Sequence, residues 1–171
     1  MQMVKKILIL LFAVWFALLL FMPKQEIYYK LEKELEKQGV EINEEYIDEG
    51  VFSLTLNNAS VYVKGIKIAT VEKASFFTLL FYTKAQVDNL VLDDSLKAMA
   101  PRQTDRAVFK HSVFSLFNIS VNAKGSFGVV NGHINLKERT VRLGFVEAKE
   151  IDSIKSQLKK DKKGWYYETS F

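Results

Sequence analysis

From Ile7 to Met22 the chain carries no charged side chain, only Leu, Ile, Phe, Ala, Val, Trp and Met, and Pro23 closes the block. A helix of about 16 residues at about 1.5 Å each falls slightly short of a ~30 Å hydrocarbon core. Met3 and Val4, with Lys5 and Lys6 snorkelling, extend the run to roughly 20 residues. The block therefore predicts a single-pass transmembrane anchor over residues 1–23. A cleaved signal peptide would need a small-x-small site, and Leu18-Leu19-Leu20-Phe21-Met22-Pro23 offers none.

Orientation follows from the flanks. Lys5 and Lys6 precede the block, while Lys24, Lys30, Lys33 and Lys37 follow it, so a count of Lys and Arg alone points the wrong way. A large folded domain translocates largely regardless of charge, and Lys-Lys before an apolar run has the form of an export signal. The domain is expected outside the cytoplasm.

The chain has 171 residues, 49% apolar and 26% charged, with no cysteine, which is enough for one domain beyond the anchor. That composition excludes a disordered chain, a disulfide scaffold, a cysteine-ligated metal centre and a multi-span membrane protein.

Residues 24–39 form the first element after the anchor. Ile27, Tyr28, Leu31 and Leu35 recur at helical spacing, Glu and Lys fill the other face, and Gly39 stands where a helix stops. An amphipathic juxtamembrane helix is expected. From residue 40 the period changes from 3.6 to 2, as in Val40-Glu41-Ile42, Leu54-Thr55-Leu56, Val61-Tyr62-Val63, Ile66-Lys67-Ile68 and Leu90-Val91-Leu92. Such alternation predicts a curved antiparallel sheet with one covered and one wet face. Asn57-Asn58, Lys64-Gly65, Asn131-Gly132 and Lys137-Glu138-Arg139 are the expected hairpin turns. Residues 93–112, with Pro101, read as a connection holding a short helix at Leu96 to Met99.

Strands resume at Ile119, Ile134 and Val141. Glu147 to Lys160 returns to helical spacing, with Ile151, Ile154 and Leu158 on one side and Gly164 closing it. Trp165, Tyr167 and Phe171 at alternate positions predict a terminal strand. The fold class is mainly β with flanking helices (α+β), and residues 40–171 make a single β-rich domain.

No catalytic constellation is visible. His111 and His133 are isolated, and Asp93-Asp94 and Glu44-Glu45 lie in turn-like or polar segments. Nucleophile-elbow and phosphate-loop motifs are missing, so neither an enzyme nor a cofactor or metal is expected. The net charge of +4 is uneven, acidic between Glu26 and Glu49 and basic from Lys155 to Lys163, a pattern that fits lipid head groups or a partner's acids better than nucleic acid.

The residues that most resemble a binding surface are apolar. Leu54, Leu56, Val61, Val63, Ile66 and Ile68 would line the concave face of the sheet and hold acyl chains if a second layer left them uncovered. The segment Ser75 to Tyr82 is apolar at almost every position, so Phe76, Phe77, Leu79, Leu80 and Phe81 are either buried on both sides or in touch with something apolar.

An anchor, a juxtamembrane helix, the segment GVEINEEYIDEGVFSLTLNNASVYVKGIKIATVEKASFFTLLFYTKAQVDNLVLDD, and later GSFGVVNGHINLKERTVRLGF and GWYYETSF together resemble the general secretion pathway protein N family. That family is similar in turn to the AsmA-like proteins of Gram-negative envelopes. The resemblance implies an inner-membrane protein with a periplasmic β-rich domain. It further implies a non-enzymatic part in type II secretion, in contact with other machinery subunits. For the AsmA-like relatives it implies an apolar groove that binds or transfers lipids.

Overall fold

The computed structural model describes Gln2 to Phe171 apart from Met22, Leu80, Lys97 and Ala98, with the Leu19 side chain also outside the described residues. Two helices lead the chain. Helix α1 (Gln2–Leu20) is the apolar block, and its 19 residues measure about 28 Å along the axis. Its side chains from Ile7 to Phe12 are exposed. Among the described residues no helix is long and apolar enough to cross a membrane; the anchor expected over 1–23 also takes in Met1, Met22 and the Leu19 side chain, which lie outside them.

Helix α2 (Lys24–Lys37) is the expected amphipathic helix, and Gly39 follows it with a positive φ of 78°. The next strands are β1 (Val40–Asn43), β2 (Tyr46–Glu49), β3 (Ser53–Val63), β4 (Ile66–Leu79) and β5 (Tyr82–Leu92). They continue as β6 (Gln103–Ser112), β7 (Asn118–Gly125), β8 (Gly128–Asn135), β9 (Thr140–Ala148), β10 (Lys159–Asp161) and β11 (Gly164–Ser170). All belong to one 11-stranded antiparallel sheet in the order β1-β3-β4-β5-β6-β7-β8-β9-β11-β10, with β2 pairing β3 beside that path. Neighbours from β3 to β9 are therefore consecutive in the chain.

The Lys64–Gly65 turn is as expected: both residues have positive φ, 52° and 77°, the geometry that a two-residue hairpin turn demands. Leu136 to Arg139 likewise turns the chain between β8 and β9. Four expectations need correction. Asn57 and Asn58 lie inside β3, where Asn58 takes a left-handed φ of 51° without ending the strand. Asn131 and Gly132 lie inside β8; a Cβ at Gly132 would collide with the Arg142 carbonyl, so glycine serves close strand approach there, not a turn.

The connection is shorter than 93–112, because Gln103–Ser112 is strand β6. Of the short helix expected there, a 3-10 turn forms at Asp94–Leu96, and Lys97 and Ala98 lie outside the described residues. The C-terminal helix does not form. Glu150 adopts a φ of +36°, and the segment folds as turns with a 3-10 turn at Lys155–Gln157 before β10. Asp152, Ser153 and Ser156 are residue types whose side chains compete with a helix for backbone hydrogen bonds and so lower helix propensity there.

The core sits on one face of the sheet. At one end α2 lays Tyr28 on Leu54 and Leu56, with Ile47 and Ala74 packed beside them. At the other, Ile151 packs on Val130 and Phe145, with Ile154, Leu158 and Trp165 around them.

Candidate functional site: the apolar face of the sheet

Directly opposed residues of antiparallel strands share a face. The register therefore traces a cross-strand row, Leu54–Phe76–Ala85–Phe109–Val121–Gly132–Leu143–Tyr167, across eight strands. The row beside it runs Leu56–Ala74–Val87–Ala107–Ala123–Val130–Phe145. The opposite face reads Ser53–Phe77–Lys84–Lys110–Ser120–His133–Arg142–Glu168 in the same register. Along these rows one side is apolar and the other is mostly polar.

Asn58 explains how β3 keeps that division. Leu54 and Leu56 are even-numbered, whereas Ala59, Val61 and Val63 are odd. The left-handed residue between them shifts the alternation by one position. Ile42 pairs with Val61 yet lines the same cleft as Leu54 and Leu56, which places Val61 on their face. Asn89, with φ 49°, stands in the same place in β5, between Val87 and Leu90. The side chains of both asparagines bond neighbouring acids, Asn58 to Glu45 in the β1–β2 turn and Asn89 to Glu72 on β4.

Two apolar clefts lie on this face. The first, about 310 Å³, sits between α2 and the sheet and is lined by Ile27, Leu31, Leu35, Leu54, Leu56 and Phe76. The second, about 360 Å³, lies under the C-terminal turns, where Phe109, Val121, Leu143, Ile154 and Leu158 line it. Both reach the lower range of ligand clefts, about 300–1,000 Å³. Between Phe76 of the first and Phe109 of the second, the row holds only Ala85. Ala85, Val87 and Ala107 thus form the floor between two covered ends, with Ala74 packed under the first cover and Ala123 under the second.

The candidate residues divide accordingly. Leu54, Leu56 and Phe76 line the first cleft, and Val61 shares their face. Val63 pairs with Ile66, which is exposed beside the Lys64–Gly65 turn, and Ile68 lies where the β3–β4 register shifts. Phe77 is on the opposite face, where it meets the Tyr82 ring at 6.5 Å, and Leu79 pairs with Tyr82 at the strand end. Leu80 is outside the described residues. Phe81 does touch something apolar: its ring lies 5.6 Å from Trp15 of α1 and 5.9 Å from Phe114. Alternation gave no sign of the floor alanines; only cross-strand register exposes them.

The polar groups near the first cleft hold α2 in place. Tyr28 is buried, and its hydroxyl donates to Glu44 Oε2 at 2.9 Å. Burial above all, then the hydrogen bond to Glu44 and the charges of Glu44 and Glu32, push that hydroxyl far above the usual phenol range, so it remains a donor. Burial first, then the neighbouring charges of Glu44 and Glu36, also raises Glu32 above the ordinary carboxylate value. Lys24 reaches Glu49 at 3.4 Å.

On the polar face burial opposes ionisation of Asp88, but hydrogen bonds from Gln86 and Arg106 and the charges of Arg106 and Lys73 outweigh it and lower its pKa. The Arg106–Asp88 pair is 2.7 Å long. His111 registers with Ile119 and Ile134 on the apolar face, while His133 pairs with Arg142 on the polar one, so the two imidazoles diverge. Among the described residues no three His, Asp or Glu side chains converge as metal ligands. No family model matches the chain, and neither a curated protein nor a solved structure matches it.

Proposed function

We propose that the chain is a membrane-anchored, non-catalytic lipid-binding protein: α1 crosses the bilayer, and the apolar face of the sheet receives acyl chains outside the cytoplasm. The observation that carries this reading is the uninterrupted apolar row from Leu54 to Tyr167, with one cleft under each cover and a floor of Ala85, Val87 and Ala107 between them. Where the covers leave it open, in the two clefts and over Ala85, this face offers apolar surface of the kind that binds an apolar partner. A domain tethered to a bilayer meets lipid at high effective concentration. The 19 residues of α1, with no charge after Lys6, are about 28 Å long against a hydrocarbon core of ~30 Å.

This is the lipid-handling role that the AsmA-like resemblance implies, on the periplasmic side of an inner membrane. The secretion-machinery role draws less support from the sheet. The edges open to strand addition are the three-residue β10, with two lysines, and the four-residue strands β1 and β2, a short and charged design that resists docking.

The test uses vesicles containing a phospholipid with a photoreactive diazirine in its acyl chain. Illumination of the reconstituted full chain should crosslink peptides holding Phe76 and Phe109 as well as α1. An Ala85→Trp substitution, which fills the floor, should remove the sheet crosslinks and keep those of α1. Crosslinks confined to α1 in the unmodified chain would sink the lipid-binding reading while leaving the anchor intact.

A further inference from the structure

The two ends of the strands differ sharply in chemistry. At the end where β3 begins and β4 stops, the turns carry Val51, Phe81, Phe114, Leu116, Phe117 and Leu136, all exposed. Phe114 is 89% exposed and Leu116 60%, and Phe171 ends the chain at this same edge, where its backbone bonds Arg139. At the other end the turns are Lys64–Gly65, the segment opening with Asp93 and Asp94, Ser126–Phe127 and Lys162–Lys163, where Ile66 and Met99 are exposed singly and no aromatic ring is exposed among the described residues.

The apolar end is also where α1 arrives. Phe81 meets Trp15 at 5.6 Å and Phe52 meets Phe16 at 6.3 Å. Trp15 precedes the last residue of α1 by five positions, or about 7 Å measured along the helix. If the end of α1 emerges at the bilayer surface, aromatic turns packed beside Trp15 lie below that surface, at the ~5–10 Å depth of interfacial apolar elements.

Basic side chains stand just above this rim. Lys84 and Lys110 oppose each other directly in the register, an arrangement that repels unless an anion lies between them. Neither has an ion-pair partner among the described residues, and Lys137 and Arg139 sit in the turn beside Leu136. Apolar and aromatic tips below a basic band complement the acyl and phosphate layers of a leaflet.

We infer that the anchor end of the sheet is a membrane-insertion rim: Phe81, Phe114, Leu116 and Phe117 enter the outer layer of the same leaflet from which α1 emerges, so that the apolar face opens onto the acyl chains. The inference rests on the reading of α1 as a membrane span.

It is tested on the full chain in vesicles of phosphatidylethanolamine and phosphatidylglycerol. The chain has no cysteine, so Phe114→Cys and Lys162→Cys each accept a single environment-sensitive fluorophore. The Phe114→Cys label should emit to the blue and lose most of its emission when nitroxides are placed on the lipid acyl chains. The Lys162→Cys label should respond only to aqueous iodide. Iodide quenching at both positions, in a chain that still resists carbonate extraction, overturns the rim and spares the anchor. Release of the chain by carbonate overturns the rim and the anchor together. Phe114→Ser combined with Phe117→Ser should abolish acyl-chain quenching of a Phe81→Cys label without altering circular dichroism.

Discussion

The two covers over the apolar face are built from similar spacing and held in different ways. Helix α2 presents Tyr28, Leu31 and Leu35. The C-terminal segment presents Ile151, Ile154 and Leu158. The first is a 14-residue helix latched by the Tyr28–Glu44 hydrogen bond and the Lys24–Glu49 pair. The second is a run of turns, tied back by the Lys149 amide on the Phe127 carbonyl and by Lys155 over the Trp165 ring at 5.6 Å. Spacing alone does not make a helix: α2 surrounds its stripe with Glu, Lys and Gln, whereas Asp152, Ser153 and Ser156 interrupt the other. The difference predicts that α2 is the fixed wall and that the C-terminal turns open first.

The largest effect that would break this comparison comes from the fixed wall. Tyr28→Ala should lower stability by about 3–5 kcal/mol, as truncation of a large buried ring does, in chemical denaturation of the detergent-solubilised chain. Ile154→Ala, at a half-buried site in turns, should lower it by about 1–2 kcal/mol. Equal losses would mean that both walls are equally structural.

The latch alone, removed in Tyr28→Phe, should account for about 1–3 kcal/mol because the Glu44 acceptor is charged. Asn58→Val should lose about 1–2 kcal/mol, since a β-branched residue resists the left-handed region, while Asn58→Gly should be nearly neutral. If Val is tolerated as well as Gly, the kink that aligns Leu54 with Val61 is not needed.

Hydrogen exchange sharpens the contrast further: amides of residues 151–158 should exchange well before those of α2. Slower exchange in the turns than in the helix would reverse the assignment of walls.

The smallest effects are with pH. Because the folded-state pKa of Glu32 is raised, its contribution is full at low pH and fades as pH rises through the folded value, so α2 should loosen slightly toward neutrality. Glu32→Gln should flatten that slope in a series of thermal melts. Asp88 has the opposite sign: its contribution is present above the unfolded value and is lost as pH falls through the lowered folded one, a loss that Asp88→Asn should erase.

Much of the fold was legible in sequence because its determinants are local. The α2 stripe, the alternation from Val40, the Lys64–Gly65 turn and the terminal strand at Trp165 are all set by neighbours within a few residues. What misled was chemistry shared by two structures. Asparagine accepts a left-handed φ in a turn or within a strand, so Asn57-Asn58 looks the same in either place, and only the pairing of β3 with β4 decides. Gly132 likewise marks a turn or a close approach, and Arg142 is what requires it.

The candidate site was half legible. Leu54, Leu56, Val61 and Phe76 do line or share the cleft face, but Phe77 points away and the alanine floor carries no local signal. The rim was hidden for a related reason: Phe114 and Phe117 fall in a stretch too short to establish a helical or an alternating spacing, and only the topology sets their turn at the same end as Phe81 and Leu136.

From β3 to β9 every strand lies beside the one made just before it, and only β11 slips between its predecessor and an earlier strand. Loop-closure entropy is therefore small at almost every step, and pairing need not wait for distant segments. A chain threading out behind α1 can lay down its sheet one hairpin at a time as it emerges. Such a plan also sets no fixed length, since a further hairpin inserted between β5 and β6 would widen the floor while the strands under each cover stay side by side.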